Sequence, residues 1–280
     1  MKLTIITINR NNAEGLEKTM QSVSGQTFSD FEYIVVDGAS TDNSLDVIRR
    51  HADSFGERIK WVSEPDDGIY NAMNKGIRMA TGDYVQFLNS GDYLATDDVT
   101  ARRIDALFQH EYPSILYGNL IKVFTDGYRF LDHSFAGREI TFLDFYKGTL
   151  NHPSTYICRE LFRKYGLYDE ALKIVSDWKW FLKAIILGKE IPVYADINVV
   201  VFDMSGISAS NLSLDKDERK RVLNEMMPAP VLADYDRWAS PIDQMKRLQR
   251  HPWANKLVFY VERSLFKIEK IQKKRKGTLY

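Results

Sequence analysis

One cysteine, Cys158, is all that the 280 residues contain, so no internal disulfide framework is available and the chain fits a reducing compartment. No apolar run is long enough to cross a bilayer. The opening run Met1–Ile8 gives way at once to Asn9-Arg10-Asn11-Asn12, too early for a signal sequence. An excess of either charge is also missing. Lys plus Arg and Asp plus Glu both total 38, which argues against a polyanion binder and against nucleic acid as a partner. No G-x-G-x-x-G follows the first apolar run, so a dinucleotide-dependent dehydrogenase is excluded. Repeats and low-complexity tracts are absent. The expectation is a soluble, cytoplasmic protein whose 44% hydrophobic content fills the core of one large α/β domain with an appendage, or of two modest domains.

What is present alternates between two periods. Leu3–Ile8, Phe31–Val36, Ile59–Ser63 and Tyr84–Leu88 are short β-branched and aromatic runs, read as buried strands. Between them, Leu16, Met20 and Val23 share a helical stripe closed by Gly25. Leu45, Val47 and Ile48 share another, with Ser40 and Thr41 as its expected N-caps. Ile69, Ala72, Met73, Gly76, Ile77 and Ala80 form a third, which leaves Tyr70, Asn71, Asn74, Lys75 and Arg78 on other faces. Such alternation predicts a mainly parallel sheet with right-handed crossovers, flanked by helices.

Beyond residue 95 the rhythm changes. A helix capped by Thr96-Asp97-Asp98 runs to Phe108, and Ile115–Val123 with Tyr128–Leu131 reads as a hairpin around Asp126-Gly127. Thr155–Cys158 reads as a strand, Arg159–Tyr165 and Asp177–Gly188 as helices, and Val193–Ala195 and Val199–Met204 as two short strands. From Asp215 the chain is mostly helix, interrupted by prolines. The expected organisation is a domain over 1–210, halved at residue 95, and a helical extension over 211–280.

The strands deliver polar residues to one edge: Thr7 and Asn9, then Asp37, then Asp92. In an open α/β sheet ligands collect outside the carboxyl ends of strands. A carboxylate there suits a divalent cation that offsets the charge of a departing nucleotide diphosphate, which is the role assigned to Asp92. Asp37 suits hydrogen bonds from a base or ribose. Gly68, opening a helix, offers backbone N–H groups, with Lys75 as a phosphate contact. Each has a plainer reading: strand-end cap, turn glycine or solvated lysine. Singly the plain reading is favoured for the two acids, and jointly, on one sheet edge, the functional one.

These residues also carry a resemblance. The strand ending Thr7-Ile8-Asn9-Arg10-Asn11, the run Val35-Val36-Asp37-Gly38-Ala39-Ser40-Thr41-Asp42, and Glu64-Pro65-Asp66-Asp67-Gly68-Ile69-Tyr70-Asn71-Ala72-Met73-Asn74-Lys75-Gly76 are joined by Phe87-Leu88-Asn89-Ser90-Gly91-Asp92. In this order they resemble the family-2 glycosyltransferases, inverting enzymes of the GT-A fold. The resemblance implies a UDP-sugar or related donor held by Thr7, Asn9, Asp37, Gly68, Asn71, Lys75 and Asn89, with Mg2+ or Mn2+ on Asp92. It departs from the family at Asn89 and Gly91, which stand where an Asp-x-Asp segment usually holds its acids. That departure leaves Asp92 as the metal acid, and gives some weight to a nucleotide- or glycan-binding protein without catalysis. A nucleotidyltransferase would want a glycine-rich basic loop after the first strand, and Asn9–Asn12 is not one.

In the second half the resemblance places the base for inverting transfer at Asp177, in Ser176-Asp177-Trp178-Lys179-Trp180. A carboxylate can accept the acceptor's proton and face the positive charge that develops on the sugar. The alternative for Asp177 is stabilisation of a helix N-terminus. His152, in Asn151-His152-Pro153-Ser154, resembles a segment lining the acceptor side, and Trp178 offers a flat face to a sugar, core packing being the competing role for it or Trp180. The tail 256–276 mixes apolar residues with Lys267, Lys270, Lys273, Lys274, Arg275 and Lys276. Such a helix either lies on an anionic membrane at the inner face, next to a lipid-linked acceptor, or docks on its own domain.

Overall fold

The structure is a computed structural model describing residues 2–204 and 211–275; the boundary expected at residue 210, and Lys276, fall outside the described residues. The chain forms two compact units, Met1–Val222 and Leu223–Tyr280.

The first unit is built on a nine-stranded sheet. Strands β1 (Leu3–Asn9), β2 (Phe31–Asp37), β3 (Ile59–Ser63) and β4 (Tyr84–Phe87) are parallel, in the order β3-β2-β1-β4. Every residue of β1, β2 and β4 is buried, as strands covered on both faces require. Helices α1 (Ala13–Ser24) and α2 (Ser44–Phe55) pack against one another, and α3 (Ile69–Met79) lies over β1 and β2. The α3 backbone comes so close that a Cβ on Gly76 would stand 2.5 Å from Ile6 Cγ2. Truncating a side chain in this layer, as in Ile6→Ala, costs about 2–5 kcal/mol.

The sheet continues through β8 (Thr155–Cys158), β6 (Ile115–Val123), β9 (Val193–Asp203) and the two-residue β5 (Tyr93–Leu94). Strand β8 runs antiparallel to β4, and β7 (Arg129–Asp132) forms the expected hairpin with β6. Helix α4 (Val99–Gln109) follows β5; α5 (Phe142–Lys147), α6 (Glu160–Tyr165) and α7 (Ser176–Phe181) belong to the second half. Past Phe181 the helix loosens into a π turn over Leu182–Leu187. The two strands expected between Val193 and Met204 are one, β9. Its polar residues Asp196 and Asn198 face Asn119 of β6, whose amide donates to both at 2.9 and 3.0 Å, where the pairing shifts register.

Helix α8 (Leu212–Met226) begins in the first unit, while α9 (Ala229–Gln249) and α10 (Pro252–Arg275) form the bulk of the second. Among the described residues no helix is long and apolar enough to cross a membrane.

Candidate active site

The site grows from the register of β1 and β2, which sets Asn9 opposite Asp37 at the carboxyl ends of both strands. The Asp37 carboxylate is fully buried and takes four hydrogen bonds, from Asn9 Nδ2 (2.8 Å), Ser40 Oγ (2.5 Å), the Ser40 N–H (2.9 Å) and Ser63 Oγ (2.7 Å). Burial pushes its pKa up, but the donors from Ser40, Ser63 and Asn9 outweigh burial and hold it below the ordinary value. Ser40 therefore shapes this loop and does not cap α2, and Thr41 gives its N–H to Asn11 Oδ1; Asp42 binds the first residue of α2, Ser44, instead. Asn9 is buried and its Oδ1 has no partner, an acceptor left over at the edge. Gly38 admits Asp66 so closely that a Cβ would lie 2.2 Å from Asp66 Oδ2, which joins the loop after β2 to the loop before α3.

On the other side of β1, Asn12 caps α1 through the Gly15 N–H and gives Nδ2 to the Ser90 carbonyl at 3.1 Å. Thr7 is buried beneath this edge, donating to the Leu88 carbonyl at 2.7 Å and bonded to Tyr33 at 2.9 Å. It fixes the end of β4 and presents nothing outward. The turn Asn89–Asp92 is closed by the Asp92 N–H on the Asn89 carbonyl, with Gly91 at φ 106°, a conformation only glycine adopts without strain. Thr19 of α1 holds the turn by donating to the Asp92 carbonyl at 2.7 Å and accepting the Gly91 N–H at 3.0 Å.

Asp92 is 5% exposed, and its Oδ1 accepts one long hydrogen bond, 3.3 Å, from the Asp203 N–H. Burial pushes its carboxyl well above the ordinary range; the Asp203 N–H pulls it partly back and the Asp203 charge adds to the rise. Asn89 Oδ1, in the same turn, is buried without a partner. Among the described residues no group of three His, Cys, Asp or Glu is placed to hold a metal ion. These donors fit a hard cation that takes one protein carboxylate and a neutral oxygen and completes its shell from diphosphate and water.

Helix α3 ties the two halves together. Gly68 at its start has φ 119° and gives its N–H to Asp66 at 3.1 Å, leaving the next N–H groups of the first turn without intrahelical partners. Tyr70 reaches α7: its hydroxyl oxygen lies 2.8 Å from Asp177 Oδ1 and 2.5 Å from the Ile174 carbonyl oxygen. Asp177, the second residue of α7, is half-buried there. Asn71 is not turned to a donor. Its amide goes to Glu170 at 2.7 Å, and Asn74 binds Glu170 and both backbone groups of Tyr168. Lys75 pairs with Glu64 at 2.9 Å and donates to the Pro65 carbonyl at 2.7 Å, so it fastens the loop before α3 rather than standing clear for phosphate.

The expected acceptor residues are placed inside. His152 is buried, stacked on Phe87 at 4.8 Å and bonded to the Tyr168 hydroxyl at 2.8 Å; burial lowers its pKa, against the pull of Asp177. Trp178 is 1% exposed, with its indole N–H on the Phe145 carbonyl and Arg219 over its ring at 4.6 Å. Trp180 packs on Phe162 and donates to the Gly166 carbonyl. Both indole N–H groups are satisfied by backbone carbonyls, so the two tryptophans are packed in the core.

Three contributors escaped the sequence reading. Tyr70 and Asn74, one turn apart on α3, reach Asp177 and Glu170 respectively, and their i, i+4 spacing was the available signal, while Glu170 lies in a turn that no helical pattern covers. Glu218 of α8 is buried and accepts the N–H groups of Lys173, Ile174 and Val175, the segment leading into α7. Nothing local marks it.

The model of glycosyl transferase family 2 matches residues 4–168. A PGL/p-HBAD biosynthesis glycosyltransferase of Mycobacterium bovis (strain BCG / Pasteur 1173P2) is 30% identical over 219 residues, 78% of this chain and 83% of that protein. Among solved structures, S. aureus TarS 1–349 in complex with UDP-GlcNAc superposes with TM-score 0.66 at 21% identity, over 80% of this chain and 64% of that one, so the chain spans just under two thirds of that fragment. The mannosyltransferase PcManGT from Pyrobaculum calidifontis, in complex with GDP-Man and Mn2+, gives TM-score 0.60 at 18% identity over 99% and 84%. With a parallel nucleotide-type half, a mixed second half and acids at the shared sheet edge, the chain has the GT-A fold and belongs to glycosyl transferase family 2, as a glycosyltransferase.

Proposed function

We propose that this chain is an inverting glycosyltransferase moving a hexose or N-acetylhexosamine from a UDP-sugar to a growing surface glycan or a lipid-linked acceptor. The observation that carries the reading is the Tyr70–Asp177 contact, which joins the start of α3, on the donor side, to a half-buried carboxylate from the acceptor side. Asp177 is the base: it takes the proton of the acceptor hydroxyl as that oxygen attacks the anomeric carbon. The bond from that carbon to the diphosphate oxygen breaks, UDP leaves, and the configuration inverts. Asp37, with Asn9 and Ser40, holds the walls of the nucleoside pocket, and the unpartnered Asn9 Oδ1 accepts from the nucleoside. Asp92 and Asn89 hold Mg2+ or Mn2+, which when bound offsets the charge gathering on the leaving diphosphate.

The UDP-sugar reading follows TarS, whose complexes contain UDP or UDP-GlcNAc, and the GDP-Man complex of PcManGT makes GDP-mannose the competing donor. The test is UDP release and product formation across a panel of UDP-sugars and GDP-mannose, with and without Mn2+. Asp177→Asn should retain donor binding and lose transfer by about 100-fold or more. Near-normal turnover of that variant would remove Asp177 from the mechanism.

Placement in the cytoplasm against the inner membrane face belongs to the same proposal. On α10, Trp253, Leu257, Tyr260, Leu265, Ile268 and Ile271 fall at helical spacing and are all exposed. The helix carries seven Lys and Arg against two Glu, which suits an anionic lipid surface and opposes a second copy of itself. The full chain should float with vesicles containing anionic lipid and not with neutral ones. Concentration-dependent dimerisation without vesicle binding would assign this face to a second copy.

A further inference from the structure

Resting on the reading of Asp177 as base, we infer that Tyr70 is its positioning residue, holding the carboxylate while ionised and releasing it as the acceptor's proton arrives. The geometry is a phenol with one proton and two acceptors, Asp177 Oδ1 at 2.8 Å and the Ile174 carbonyl oxygen at 2.5 Å. Burial and the Asp177 charge both push the phenol well above its ordinary pKa, so it keeps its proton throughout.

The consequence is a two-position hydrogen bond. While Asp177 is ionised, the O–H points to Oδ1, fixes the rotamer and leaves Oδ2 for the acceptor hydroxyl. When the acceptor's proton moves to Asp177, the carboxyl no longer needs a donor, and the Tyr70 proton turns to the Ile174 carbonyl. No proton leaves Tyr70, and the one taken from the acceptor stays on Asp177 until solvent removes it. The surroundings are built to hold this pair still. Asn71 and Asn74 clamp Glu170 and Tyr168 to α3, and Glu218 fixes the Lys173–Val175 backbone immediately upstream.

The charged and titratable groups around Asp177 are Tyr70 from α3, His152 from the turn before β8, Tyr168 from the preceding loop, and the Lys179–Asp169 pair of its own segment. Burial holds the His152 imidazole below its ordinary pKa, against the pull of Asp177, and any limb it adds to a pH profile disappears in His152→Gln.

The experiment is steady-state transfer by the full chain with its UDP-sugar donor, comparing Tyr70→Phe with the parent. The variant should lose about 10- to 100-fold in kcat, since a hydrogen bond to a charged group is removed. Donor KM should stay within about twofold, and the acid limb of the kcat profile should move to higher pH. Tyr70→3-fluorotyrosine, a stronger donor of nearly the same shape, should restore most of the kcat lost in Tyr70→Phe and move that limb to lower pH. This second variant answers the question even where Tyr70→Phe folds poorly. Unchanged kcat in Tyr70→Phe, or a loss confined to donor KM, would overturn the proposal, as would an acid limb indifferent to fluorination. If Asp177→Asn is inactive while Tyr70→Phe is normal, only the role of Tyr70 fails; if Asp177→Asn is active, the base assignment itself fails.

Discussion

Asp37 ends β2 and Asp92 closes the turn that follows β4, the two strands that flank β1; both are almost fully buried, yet the protein treats them in opposite ways. Asp37 receives four hydrogen bonds and is held below the ordinary carboxylate range. Asp92 receives one long bond and is pushed well above it. Burial is common to both, so the donors decide. On the proposed reading a carboxylate already surrounded by donors belongs to the nucleoside wall, and one left with a single donor takes the cation. That reading gives the two acids separate roles, although both stand close to a strand end in the sequence.

The comparison can be broken most directly at Asp92. Asp92→Asn should reduce transfer by about 100-fold or more, several kcal/mol of charge stabilisation being lost with the cation. Its melting temperature without metal should match or exceed that of the parent, because a neutral amide is easier to bury than a carboxylate. Initial transfer rates with Mn2+ check the first point and a thermal melt the second. Asp37→Asn should do the reverse in the melt. An amide cannot accept from Asn9, Ser40 and Ser63 together, and the stranded donors cost about 1–3 kcal/mol. Denaturant unfolding reads that loss, and weaker UDP binding accompanies it.

A third buried carboxylate sharpens the contrast with the smallest effect. Glu32, at the other end of β2, accepts from Lys60, Thr4 and Thr81. Burial pushes its pKa up, but these donors outweigh it and bring it down from 4.5 to about 2. Since the folded value is the lower one, its stabilisation is present above pH 4.5 and is lost as pH falls towards 2. Glu32→Gln should flatten that acid limb of the stability curve and cost about 1 kcal/mol at neutral pH, as its Lys60 partner is half exposed.

The parallel half of the fold was legible because its strands are continuous apolar runs with helical stripes between them. Strand β9 was not, since Asp196 and Asn198 interrupt its apolar pattern and are satisfied sideways by Asn119, 77 and 79 residues away. The same reason divides the site. Asp37 and Asp177 announce themselves by standing at the end of a strand and the start of a helix. Asn71, Lys75, His152 and Trp178 have the right chemistry for ligands, but Glu170, Glu64, Tyr168 and the Phe145 carbonyl already occupy them. Local pattern tells what a side chain offers; only the fold tells who has taken it.

The reach of Glu218 back to residues 173–175 has a practical corollary. A chain cut after residue 210 would keep every strand together with Asp37, Asp92 and Asp177, yet the N–H groups of Lys173, Ile174 and Val175 would lose the carboxylate that accepts them. At about 1–3 kcal/mol for each stranded group, the approach to α7 would come loose. The shortest version worth expressing therefore runs through Val222, where the first compact unit closes.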